Sequence, residues 1–108
     1  MNEHILVITD DENSELVRVL LKQKIIPITR QSLQSAIQLM RHIDFSAVVI
    51  DKIHHNVDTL EFILNARDFS INTPIFIPEK FFLNNEWRKI KKLKQVHVYD
   101  NINSIIRK

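Results

Sequence analysis

The chain contains no cysteine and no glycine. The first absence excludes a disulfide framework, a thiol nucleophile and a zinc–thiolate site. The second excludes both Gly-rich phosphate loops, the dinucleotide fingerprint and the P-loop. It also forces every turn to form without the residue that most easily takes positive φ. No apolar stretch approaches the roughly 18 residues of a membrane span. The N-terminus turns into strand by His4–Ile5 with neither a basic leader region nor a cleavage site, so a cytoplasmic protein is expected. No nucleophile–base pair and no histidine spacing suited to a metal appears, and turnover of a substrate is not expected.

What the chain does have is a core. At 108 residues and 44% hydrophobic content it fits one domain spanning residues 1–108. The net charge of +2 is unevenly spread. Residues 80–108 carry eight Lys/Arg against Glu86 and Asp100, a local +6, while residues 1–79 sum to −4.

Strand-like and helix-like segments alternate, which predicts an α/β fold with a parallel sheet. Ile5–Ile8 is a continuous apolar run of the kind buried on both faces. Leu16, Val19, Leu20 and Gln23 follow helical spacing behind an N-cap at Asn13 or Ser14. Ile25–Ile28 reads as a second strand, and Pro27 sends it to a sheet edge because proline cannot donate to the ladder. Ser32 caps a helix with Leu33, Ala36, Ile37, Met40 and Ile43 inward. Phe45–Ile50 is the third strand. Asp58 and Glu61 have capping-box spacing ahead of a helix with Leu60, Ile63 and Leu64 inward. Pro74–Ile77 and Val96–Tyr99 complete five strands. Between these two, Asn84 or Asn85 starts a basic helix with Trp87, Ile90 and Leu93 inward, and Asn101–Lys108 forms a short last helix.

Two of these strands end in carboxylates. Ile5–Ile8 runs into Thr9-Asp10-Asp11, and Ala47–Ile50 ends in Asp51. In parallel sheets, ligands gather at the carboxyl ends of the strands. Carboxylates converging there suit a hard divalent cation such as Mg²⁺.

This order of elements and these acidic tips resemble the response-regulator receiver domain, over nearly the whole chain. The most specific stretch is Ala47–Arg67, with an Asp at a strand end and a helix beginning some eight residues later. The resemblance implies a flavodoxin-like sandwich, strand order 2-1-3-4-5, with strand 2 at the edge where Pro27 also belongs. It puts Asp51 at the phosphoacceptor position. Asp10 falls on the second residue of the acidic pair that holds Mg²⁺, Thr9 replaces the first, and Asp11 follows as a stand-in. Receivers usually continue from the acceptor with Met-Pro-Gly-x-Asp-Gly, where this chain has His54-His55-Asn56-Val57-Asp58-Thr59. The hydroxyl switch position at the end of strand 4 falls on Glu79, after Pro78. The lysine expected at the end of strand 5 falls among Tyr99, Asp100 and Asn101, where no lysine stands. The pattern implied is a degenerate receiver, a signalling module in a phosphorelay with an impaired or absent switch. Its partner would be a sensor kinase or an output protein.

Three further features bear on partners. His54 and His55 sit at the same rim, where adjacent histidines are ordinarily solvated. Arg88, Lys91 and Lys92 share one face of the basic helix, opposite Trp87, Ile90 and Leu93. Beyond a solvated helix surface, that face suits an acidic protein partner better than nucleic acid, because it lacks interleaved aromatics. Ile102, Ile105 and Ile106 of the short final helix would cover only part of the sheet face, and the apolar surface left over predicts a homodimer or partner contact near Ile102, Ile105, Phe81 and Phe82.

Overall fold

The computed structural model describes residues 3–51, 59–69, 71–79, 93, 95–101 and 105. Its strands are β1 (His4–Ile8), β2 (Ile26–Arg30), β3 (Ala47–Ile50), β4 (Ile75–Pro78) and β5 (Val96–Tyr99). They form one all-parallel sheet in the order β2-β1-β3-β4-β5. Among the described residues, three helices, α1 (Glu15–Lys22), α2 (Leu33–Met40) and α3 (Thr59–Asp68), make the first three crossovers. This is the flavodoxin-like arrangement expected from the sequence.

Strand alternation sorts the core into two layers. Leu6, Ile8, Val48, Ile50, Ile75 and Ile77 face α2 and α3, meeting Ala36, Ile37, Met40, Phe62, Ile63 and Ala66. Ile5, Val7, Ala47, Val49, Phe76 and Tyr99 face the other way, onto Leu16, Val17 and Leu20 of α1 and onto Ile105. Fully burying one such aliphatic side chain contributes about 1.5–3 kcal/mol. The central strands β1, β3 and β4, apolar on both faces, therefore anchor the fold.

Both described N-caps are serines, as the sequence suggested. The Ser14 hydroxyl accepts the Val17 amide at 3.3 Å, and that of Ser32 accepts the Ser35 amide at 3.1 Å. The absence of glycine is met directly. Lys24 and Gln95 take φ of 61° and 62°. At the end of α1, the Ile25 amide donates to Leu20 O at 3.0 Å and the Lys24 amide to Leu21 O at 3.1 Å. That is a Schellman closure with lysine at the position glycine usually holds, sealed by Ile25 packing on the layer that contains Leu20.

The edge strand is protected in a way its register explains. The Ile26 amide donates to Glu3 O, and Arg30 O accepts from the Thr9 amide, both at 2.9 Å. Ile26, Ile28 and Arg30 therefore turn their backbone groups inward, and Pro27 and Thr29 turn theirs outward. Proline has no N–H to offer there, and Arg30 Nη1 donates to Thr29 O at 2.7 Å.

Several expectations are corrected. β2, β3 and β4 begin one or two residues later than the apolar runs suggest, because pairing with neighbours, not hydrophobicity, sets strand ends. Pro74 stands outside β4, yet its carbonyl accepts the Val48 amide at 2.8 Å. Ile43 lies beyond the end of α2 and is 38% exposed, so helical spacing no longer governs it. In α3 the buried face is Phe62, Ile63 and Ala66, which turns Leu64 outward at 46% exposure. Ile105 covers part of the sheet face as expected, buried against the layer containing Phe76 and Tyr99. Ile102, Phe81, Phe82, Asp58, Trp87, Ile90 and the side chain of Leu60 lie outside the described residues.

Candidate functional site

The carboxyl ends of β1, β3, β4 and β5 meet at one rim, and the sheet register decides what stands there. The Asp51 amide donates to Ile8 O at 2.9 Å, which locks the first residue beyond β3 to the last residue of β1. Thr9, next along β1, is fully buried. Its Oγ1 accepts the Asp11 amide at 3.1 Å, so it closes the β1–α1 turn. Asp11 is exposed, and its Oδ1 accepts the Asn13 amide at 2.9 Å. Asp10 is half-buried and has an interaction partner of its own.

Asp51 is the unusual member. Its Oδ2 is buried and has no hydrogen-bond partner among the described residues. A buried carboxylate oxygen without a donor carries a desolvation cost that a ligand or cation at the rim would relieve. Asp10 and Asp51 sit beyond adjacent paired strands, whereas Asp11 is committed to its own turn. Among the described residues, no group of three or more His, Asp or Glu side chains is placed to hold a metal ion. Two carboxylates suffice for Mg²⁺ only when waters or other oxygen ligands complete its octahedral shell.

Across the rim, the sequence reading missed Tyr99. The β3–β4 ladder places the Val48 amide on Pro74 O, and the paired residues are Val48 with Ile75 and Val49 with Phe76. One further step would bring the amide of residue 78 to Ile50 O. Residue 78 is proline, so that donor does not exist, and pairing stops at Val49 and Phe76. The Tyr99 hydroxyl donates to Ile50 O instead, at 2.6 Å. A phenol from β5 thus reaches past the end of β4 to satisfy a carbonyl that Pro78 leaves unpaired. Burial pushes the Tyr99 pKa well above its ordinary value, and the negative charge of Asp51 adds to the shift.

The remaining expected positions divide plainly. Glu79 is exposed immediately beyond β4, and Asn101 is exposed two residues beyond β5 with a partner of its own. His54 and His55 lie outside the described residues, as do Arg88, Lys91 and Lys92. Leu93, expected on the buried side of the basic helix, packs on the layer facing α2 and α3.

One signal for Tyr99 was present in the sequence. A proline ending a central strand removes a ladder donor, and a lone tyrosine ending the neighbouring strand is a natural replacement. No helix among the described residues is long and apolar enough to cross a membrane. No protein-family model matches the chain, and no curated protein matches it closely enough to serve as a relative.

Proposed function

We propose that this protein is a receiver-like signalling domain that acts by protein–protein contact and whose phosphorylation switch is impaired. The observation that carries the reading is the environment of Asp51. Its carboxylate stands at the tip of β3 with Oδ2 buried and, among the described residues, without a hydrogen-bond partner. What β5 contributes near it is a neutral phenol already donating to Ile50 O. An acceptor carboxylate needs a cation to offset the charge of an incoming phosphoryl group. Glu79 adds a carboxylate at the end of β4, which opposes that charge. Asp10, with Asp51, would hold Mg²⁺ if any chemistry survives, and the modification would be stoichiometric.

A second reading, a phosphorylation-competent regulator, draws on the same orphaned oxygen, since an unsatisfied buried carboxylate favours an electrophile or cation. Intact mass after incubation with acetyl phosphate and Mg²⁺ separates the two, with Asp51→Ala as control. No adduct, under conditions that modify an ordinary receiver, is the expected result. An adduct on the wild type alone would overturn the impaired switch and establish the regulator. The proposed partner is a sensor kinase or output protein.

A further inference from the structure

From Leu16 to Ile43 the chain contains no Asp or Glu, while Arg18, Lys22, Lys24, Arg30, Arg41 and His42 all lie within it. The fold gathers part of this charge on one flank. Arg30 shares its side of β2 with Ile28, which packs on the α2 layer. Ser35, Gln38, Leu39 and His42 follow i, i+3, i+4, i+7 spacing along α2 and just past its end. With Arg30 and Arg41 these residues line a groove of about 500 Å³ between the sheet edge and the helix, and among the described residues no carboxylate lines it. Arg30 donates to Thr29 O and Arg41 lies 4.3 Å over the Phe69 ring, but neither they nor His42 forms an ion pair among the described residues. The stripe from Ser35 to His42 rises about 10 Å, the reach of about three extended residues.

We propose that this groove docks an extended acidic peptide segment of a partner protein. Its carboxylates meet Arg30 at the sheet edge and Arg41 with His42 near the end of α2. Gln38 supplies both a donor and an acceptor for the peptide backbone, and Leu39 gives an apolar side chain a floor. Both strong cations in the groove are arginines, whose forks bind carboxylates in two-point fashion. Arg30 spends one nitrogen on Thr29 O and keeps other donors free for a ligand. The segment lies across the helix–strand face without adding to the sheet, because Pro27 and the capped Thr29 carbonyl spoil the outer edge of β2 for strand addition. A nucleic-acid strand fits less well: no aromatic residue among those described lines the groove to stack a base. The proposal does not depend on the state of Asp51, which lies at the rim and not in this groove.

Selection from a randomised peptide-display library on the full chain tests it. Enrichment of sequences with two or more carboxylates around an apolar residue is expected. For the selected peptides, Arg41→Glu and, separately, Arg30→Glu/His42→Glu should weaken binding at least tenfold, with circular dichroism unchanged. Asp51→Ala should select the same sequences, which separates failure here from failure of the phosphorylation reading. Amide shifts on binding should centre on Ser35, Gln38 and His42. No enrichment of acidic over neutral peptides, or binding indifferent to both charge reversals, overturns the proposal. Tighter binding of an oligothymidylate to the same residues overturns the peptide in favour of nucleic acid.

Discussion

Removing one oxygen atom, in Tyr99→Phe, tests the account of the rim. The hydroxyl makes a 2.6 Å hydrogen bond to Ile50 O, and both residues are buried. A hydrogen bond of this kind contributes about 0.5–1.5 kcal/mol net. The larger effect comes from what is left behind. Pro78 cannot supply the ladder donor, so the variant strands a buried carbonyl, which costs about 1–3 kcal/mol. A total loss of about 2 kcal/mol is expected, lowering Tm by roughly 10 °C in a domain of this size. The ladder geometry names a rescue. Pro78→Ala restores an amide N–H aimed at Ile50 O, so it should recover part of the loss in the Tyr99→Phe background and little in the wild type. A double-mutant cycle by urea unfolding reads that coupling. A coupling near zero would refute the idea that tyrosine and proline share one carbonyl.

Tyr99 is the sole tyrosine, so absorbance near 295 nm follows its ionisation without interference. Its pKa is raised in the folded state, first by burial and then by Asp51. The neutral phenol is thus retained by the fold while the unfolded chain ionises near pH 10. The associated stability is fully present below pH 10 and falls as pH rises beyond it, at up to about 1.4 kcal/mol per pH unit. The difference between wild type and Tyr99→Phe isolates this contribution from lysine titration. Native absorbance that titrates near pH 10 would refute the buried placement.

Asp51→Asn should lower the pH at which Tyr99 ionises without returning it to the ordinary value, since burial is the larger cause; the same absorbance titration reads it. Lys24→Gly and Gln95→Gly should each stabilise the fold by about 0.5–1 kcal/mol in urea unfolding, because the relief of left-handed backbone exceeds the entropy glycine adds to the unfolded chain. Ser14→Ala should cost about 1 kcal/mol by the same assay, through loss of the cap on Val17. Pro27→Val combined with Arg30→Ala should expose the outer edge of β2 and produce concentration-dependent association in sedimentation velocity, where either change alone should produce less.

Much of the fold was legible because its strongest signals are one-dimensional. Short continuous apolar runs bounded by turn signals read as strands buried on both faces, and β1, β3 and β4 carry them. Pro27 located its strand at an edge for a purely local reason, the missing donor. Element ends were less legible. Ile43 and Leu64 satisfy a helical pattern, but where α2 stops and how α3 is rotated depend on what the sheet offers beneath them.

The site was legible in its carboxylates and illegible in its neutral groups, and the difference is physical. A charge at a strand tip announces itself because burial penalises it, so Asp10 and Asp51 stood out. Thr9 and Tyr99 carry no charge, and their roles exist only through backbone groups supplied by other segments: Thr9 through its own turn, Tyr99 through a carbonyl 49 residues away. Reading Tyr99 required placing Pro78 in register against β3, counting ladder bonds, and finding one acceptor too many. That count explains why a phenol at the end of β5 is a structural answer to a proline at the end of β4. It also explains why the group beside Asp51 is a committed donor. A lysine at position 99 would need to satisfy the Ile50 carbonyl and the Asp51 carboxylate at once. Placing a cation there therefore calls for replacing Pro78 together with Tyr99, so that the backbone recovers its donor and the new ammonium is left free for Asp51.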